Sequence, residues 1–223
     1  MIAFDATAQG KVLGATSLSY SHTCTGSNLI LFVGINLFNP GSDLVTGVTY
    51  GGVALTQLTK QNAQGSEVYL YYLIAPTTGA NNIVISTSSS VDIRSISASY
   101  TGVIQITSID NSTVNNANAS TITTSLTTIN NNCWMISFIA DSTARIPSAG
   151  TGVTSRNTNA DVSNLGDSNG NITPAGSYSM TWNDTGTAGL NVVQASFIPV
   201  VVPIGYSNPN SSQPIIGYNI KTF

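Results

Sequence analysis

Val45-Thr-Gly-Val-Thr-Tyr-Gly-Gly-Val-Ala-Leu-Thr-Gln-Leu58 reads as two extended segments joined at Gly51-Gly52. Two glycines accept positive φ at both central positions of a tight loop, as a two-residue hairpin turn demands. The flanking residues alternate between apolar and hydroxyl-bearing side chains, the period of a half-buried strand. Outward from this hairpin the same pattern recurs to about Pro199, with Gly, Asn and Ser clusters between segments, and helical periodicity is nearly absent. The series predicts an antiparallel β-sandwich.

Two segments are apolar on both faces. Leu29-Ile-Leu-Phe-Val-Gly-Ile-Asn-Leu37 leaves no polar face, as expected of a central strand covered on each side, and Asn39-Pro-Gly-Ser42 ends it. Glu67-Val-Tyr-Leu-Tyr-Tyr-Leu-Ile74 sets Val68, Leu70, Tyr72 and Ile74 against Tyr69, Tyr71 and Leu73, again with both faces apolar. Asn82–Ser86, Ile93–Tyr100 and Ile122–Thr128 continue the series. In the last two, Ser and Thr alternate with apolar residues, which predicts an exposed hydroxyl face. Trp134, Ile136 and Phe138 form one inward face, Tyr178, Met180 and Trp182 another, and Asn191–Ile198 the final strand. Ala140–Ser177, rich in Gly, Asn, Asp and Ser, reads as long loops with short strands.

Charge is scarce. Asp, Glu, Lys and Arg make up 7% of the 223 residues, against about 25% in an ordinary soluble domain. The surface is therefore wetted by hydroxyls and amides. Six basic residues and a net charge of −3 leave no stripe to neutralise phosphates, so nucleic acid is excluded as a partner. Mean hydropathy is +0.17, yet no apolar run approaches the roughly 20 residues of a membrane span. Met1-Ile-Ala-Phe-Asp5 lacks a basic n-region and an apolar h-region, which predicts no secretory signal peptide and synthesis in a cytoplasm. Cys24 and Cys133 are expected to be buried free thiols.

Reactive constellations are few. His22 is the one histidine and Glu67 the one glutamate, so a Ser–His–Asp triad or an imidazole zinc site would have to run through His22, on an alternating strand. A glycosidase needs two carboxylates at a set separation, and two remote Asp residues would have to converge. The sequence predicts no enzyme. Asp167-Ser-Asn-Gly-Asn171 offers oxygens at alternate positions, as a calcium loop does, without its closing Glu; Asp161, Asp167, Asn169 and Asn171 are the candidate calcium ligands. Tyr69, Tyr71, Trp134 and Trp182 are the aromatics available for stacking on a glycan.

From Pro199 the pattern changes. Pro203, Pro209 and Pro214 punctuate an uncharged stretch carrying a small repeat, Pro203-Ile-Gly-Tyr-Ser-Asn208 and Pro214-Ile-Ile-Gly-Tyr-Asn219. Proline at this density favours extended chain, and Ile and Tyr are foreign to a solvated tail. Residues 200–223 therefore read as an arm that docks through Pro203, Ile204, Tyr206, Pro214, Ile216 and Tyr218.

Ser27–Gly34, Val45–Thr56, Tyr69–Pro76 with Gly79, Ser99–Val103, Asn132–Phe138 and Gly166–Gly170 together resemble a jelly-roll, or concanavalin-like, domain of tailed-phage structural proteins and bacterial surface proteins. The resemblance implies an all-β antiparallel sandwich of jelly-roll type over 1–199, followed by the extended C-terminal arm. It brings no catalytic residues. The implied function is a non-enzymatic virion subunit, a capsid decoration or tail- or fibre-associated protein. Such a subunit is made in the host cytoplasm, forms a homo-oligomer and docks on capsid or tail subunits. The alternative is a carbohydrate-binding or adhesive module at a cell surface.

Overall fold

Alternation and turn chemistry carry through to the computed structural model, which describes residues 1–38, 41–143, 145–158 and 162–201. None of these is helical. The strands are β1 (Ala3–Cys24), β2 (Ile30–Phe38), β3 (Val45–Tyr50), β4 (Val53–Ala54), β5 (Thr56–Ala63), β6 (Ser66–Ile74) and β7 (Gly79–Thr101), then β8 (Ile109–Thr127), β9 (Trp134–Asp141), β10 (Ser148–Ala149), β11 (Thr154–Thr158), β12 (Ser163–Asp167) and β13 (Ser177–Phe197). They form two antiparallel sheets, a β-sandwich. The first sheet runs β4-β3-β7-β2-β6-β5 with β1 on β7; the second runs β10-β13-β9-β12-β11 with β8 on β13. The Gly51-Gly52 turn forms as read, with φ of 55° and 83° and Tyr50 opposite Val53.

β2 shows why a two-faced apolar strand was needed. Ile30 and Phe32 point into the core between the sheets, beside Val68, Leu70, Ile96, Trp134, Ile136, Phe138 and Phe197. Leu31, Val33, Ile35 and Leu37 point the other way, into a second core with Tyr69, Tyr71, Ile83, Ile85, Val48 and Tyr50. That second core exists because the long β1–β7 ribbon curls over its own sheet. Register shifts at Val12/Ala15 and Ala15/Ser17 mark the bend. Beyond it Tyr20 lies on Gly10, where a Cβ would fall 2.5 Å from the ring. Each fully buried Leu, Ile or Phe here contributes roughly 1.5–3 kcal/mol of transfer free energy.

The second sheet repeats the plan. β8 pairs β13 as β1 pairs β7; β9 lies between β12 and β13 as β2 lies between β6 and β7. β10 adds to β13 as β3 adds to β7, and β11 to β12 as β5 to β6. β13 also bends, at a register shift between Asn183 and Ala188, and brings Trp182 over Ile139 as the counterpart of Ile85 over the first sheet. Ile30↔Tyr100 and Trp134↔Phe197 are corresponding pairs, which aligns Ile96-Ser-Ala-Ser-Tyr100 with Val193-Gln-Ala-Ser-Phe197. The chain is thus an internal duplication whose halves pack face to face. Corresponding residues meet in the shared core: Tyr100 and Phe197 at 5.0 Å between ring centroids, and Gly34 against Phe138. Self-pairing of equivalent positions is the mark of a two-fold arrangement.

One reading needs correction. Ser95, Ser97 and Ser99, expected on an exposed hydroxyl face, are fully buried. They face the curled end of β1, where Tyr20 bonds Ser95 at 2.8 Å and His22 bonds Ser97 and Ser99. A bent ribbon turns what alternation marks as a solvent face into an interior.

Candidate functional site

Pro203, Ile204, Tyr206, Pro214, Ile216 and Tyr218, expected to dock, lie outside the described residues, as does Asp161. The structure does place the root of the arm. Val200 donates from its backbone N–H to Gly102 O at 2.8 Å, Ile104 to Ile198 O at 3.0 Å, and Ile198 to Ser108 O at 2.8 Å. Gly102 in turn lies against the carbonyl of Met1. The chain start, the junction between the halves and the arm root therefore share one pole of the sandwich. At this pole Met1, Ile106 and Val201 are 84%, 87% and 74% exposed, and Ile129, held by its N–H on Asp110, is 67% exposed. Large apolar side chains left in water together are the feature a docking surface needs.

The carboxylates beside this pole are already satisfied. Asp5 accepts from Thr25 and, at 2.7 Å, from the Ser99 hydroxyl. Its counterpart Asp110 accepts from Ile129 N, Asn130 N and the Ser196 hydroxyl at 2.8–2.9 Å. Burial opposes ionisation of Asp110, but these donors outweigh it and hold its carboxyl below the ordinary value.

Of the calcium candidates, Asp167 and Asn169 converge, but on an arginine. Arg156 donates from Nε and Nη2 to the two carboxylate oxygens of Asp167 at 2.6 and 2.8 Å, and from Nη2 to Asn169 Oδ1 at 2.7 Å. Tyr100 donates to Asp167 Oδ2 at 2.8 Å, and Trp134 Nε1 donates to Asn171 Oδ1 at 3.0 Å. The guanidinium also lies over the Phe4 ring, 4.4 Å from its centroid. Among the described residues no three His, Cys, Asp or Glu side chains gather as a metal set.

His22 is 1% exposed and lies between Ser97 and Ser99. Ser99 spends its proton on Asp5, so it accepts from Nε2–H, and Nδ1 accepts from Ser97 at 2.9 Å. This fixes the neutral tautomer. Asp5 lies beyond the serine and does not orient the imidazole as a triad acid would. Burial pushes His22 down to about 4. Tyr69, Tyr71, Trp134 and Trp182 are buried, which withdraws all four from glycan stacking. Cys24 and Cys133 are buried free thiols.

Sequence reasoning missed one pair. Asp141 and Asp184, far apart in the chain, both have side chains withdrawn from water and share one arginine: Arg145 Nε stands 2.8 Å from Asp184 Oδ1 and 3.4 Å from Asp141 Oδ2. Burial, then the neighbouring Asp184 carboxylate, pushes Asp141 up; burial opposes ionisation of Asp184 too, but Asp141 and then Arg145 outweigh it and hold Asp184 down. Only the bend in β13 brings the two together, so no local spacing announces them.

No family model, curated protein or solved structure matches this chain.

Proposed function

We propose that this protein is a non-enzymatic structural subunit of a tailed-phage virion, a capsid decoration or tail- or fibre-associated protein, docking through its C-terminal arm. The observation that carries the reading is the pole at which the arm begins: an uncharged root beside four exposed apolar side chains, on a protein otherwise coated with hydroxyls and amides. Such a coat lets many copies crowd without mutual repulsion. The polar side chains that the fold assembles support the same view, since His22, Asp167 and Asp110 spend their bonding capacity on neighbours within the chain. Burial of the four candidate stacking aromatics counts against the adhesive alternative.

Truncation after Val201 preserves the root contacts and removes the arm. Particles purified from cells carrying the coding genome should contain the full-length protein in stoichiometric amount and lose the truncated form. Absence of the full-length protein from such particles, with clear binding on a glycan array, would overturn the virion reading. Undiminished occupancy by the truncated form would remove the arm from it.

A further inference from the structure

Three charged side chains and a phenol meet on the first sheet, on the face turned away from the second, and neither the pole nor the proposed function uses them. Lys60 lies on the edge strand β5, paired in register with Tyr69 of β6. Its ammonium hydrogen-bonds Asp43 Oδ2 and stands 3.7 Å from Glu67 Oε1. Tyr69 donates to the other oxygen of Asp43, Oδ1, at 2.7 Å. The Lys60 and Asp43 side chains are partly exposed, whereas Tyr69 and Glu67 are 0% and 1% exposed. Glu67 is the one glutamate of the chain, and its second oxygen, Oε2, is buried with no hydrogen-bond partner among the described residues. An unpaired oxygen on a buried carboxylate is costly, so its place beside an amine and a second carboxyl calls for a reason.

Each of the four groups is placed for one part of an amide condensation. A deprotonated lysine is a nucleophile, and Asp43 Cγ lies one covalent bond beyond the oxygen that Nζ already touches. The resting pair is ionic: the Lys60 hydrogen bond, then Tyr69, holds Asp43 below its ordinary value, and the Asp43 hydrogen bond holds Lys60 above its own. Two protons must therefore leave Nζ. One crosses the existing hydrogen bond to Asp43 Oδ2, which leaves a neutral amine facing a carboxylic acid. The second needs another base within reach, and Glu67 Oε1 is there. Burial, then Glu67 and Asp43, keeps the Tyr69 phenol protonated, so it stays a donor to Oδ1 as negative charge develops on that oxygen. Held together by the fold, the two reacting groups see each other at an effective molarity of about 10⁵ M or more, which offsets the poor reactivity of a carboxyl group.

We propose that Lys60 and Asp43 condense within the folded chain to an isopeptide bond, with Glu67 as the proton carrier and Tyr69 as the donor to the oxygen that remains. Nζ attacks Cγ and forms the new N–C bond; Glu67 takes the second proton from Nζ and returns it to Oδ2, whose bond to Cγ breaks as it departs as water. Oδ1 becomes the amide oxygen, one hydrogen stays on Nζ, and Glu67 ends as it began. No co-reactant is consumed. The product ties the connection between β2 and β3 to the edge strand β5, a covalent staple where a sheet is otherwise open. It needs neither the arm nor a virion.

Electrospray mass of the purified full-length protein, unfolded in acid after prolonged incubation in the folded state, tests the bond. The expected mass is the sequence mass less one water. Trypsin should then fail to cut after Lys60 and leave residues 12–94 as a single peptide carrying the whole deficit. Lys60→Arg keeps the charge on a partly exposed site but removes the nucleophile, and Glu67→Gln keeps the shape but removes the base. Both should fold, as circular dichroism would read, and both should show their full sequence mass. A folded wild type at full mass and cut after Lys60 overturns the proposal, as does a water deficit that persists in Lys60→Arg. Complete closure in Glu67→Gln overturns the proton route through Glu67.

Discussion

Phe138 occupies the space in which a side chain on Gly34 would sit: a Cβ built there falls 2.3 Å from the ring's Cδ2. The two residues hold corresponding places in the duplicated halves, at the centre of the strands β2 and β9. Where equivalent strands face each other across a two-fold relation, two bulky residues cannot share the meeting point. The pair resolves this by one giving up its side chain entirely.

Gly34→Ala is therefore expected to destabilise the protein by about 1–3 kcal/mol through overpacking. Phe138→Leu on the same background should recover part of the loss, and a double-mutant cycle by urea unfolding measures the coupling. Additive effects would show that the ring can move aside.

Protonation of His22 should cost stability. Its folded value, about 4, lies below the ordinary 6.5, so the unfolded chain binds the proton first as pH falls. Stability contributed by the neutral, buried ring is full above pH 6.5 and drains away as pH drops to about 4, by roughly 3 kcal/mol in total. Urea midpoints from pH 7 to 4 should show this decline in the wild type, and His22→Gln should flatten it.

Asp141→Asn replaces a carboxyl whose ionisation burial and the Asp184 carboxylate oppose, and keeps an acceptor for Thr143. Asp141 is raised in the fold, so the stability tied to its proton is present below the ordinary value of 3.8 and is lost as pH rises through the folded value. The variant removes that slope. It should be more stable than wild type at pH 7–8, by roughly 1 kcal/mol, as differential scanning calorimetry would read; a lower midpoint there would refute the raised titration of Asp141.

Neither thiol should react in the folded state. Burial raises both, Cys133 to about 12, and each lacks a path to solvent. A chromogenic disulfide should titrate no thiol in buffer and both in denaturant. Rapid native labelling of Cys24 would mean that the curled end of β1 opens.

How much could be read without coordinates differed by element. The Gly51-Gly52 hairpin was legible because its geometry is decided within four residues. β2 and β6 were legible as doubly covered strands because apolarity on both faces has only one comfortable destination. The 22-residue β1 was hard to see, since its alternation is mostly of Ala, Ser, Gly and Thr, and its burial depends on a bend that folds it onto β7. Ser95, Ser97 and Ser99 were misplaced for the same reason. The kinship of Ile96–Tyr100 and Val193–Phe197 is written in the sequence, yet it takes the shared pairing plan to show that two five-residue strings are more than coincidence.

The sequence by itself determined the class of protein: alternation, turn glycines and missing charge leave a β-sandwich with a hydroxyl and amide coat and a proline-marked arm. Those are local properties, fixed by backbone sterics and by the need to bury one residue in two. The tertiary structure decided which polar groups meet. Arg156 fills the oxygens of Asp167, His22 settles between two serines, Asp141 finds Asp184, and Met1, Ile106 and Val201 arrive at one pole. Each of these meetings joins residues from different strands, and their separation in space is set by how two long ribbons curl and by how the duplicated halves face each other.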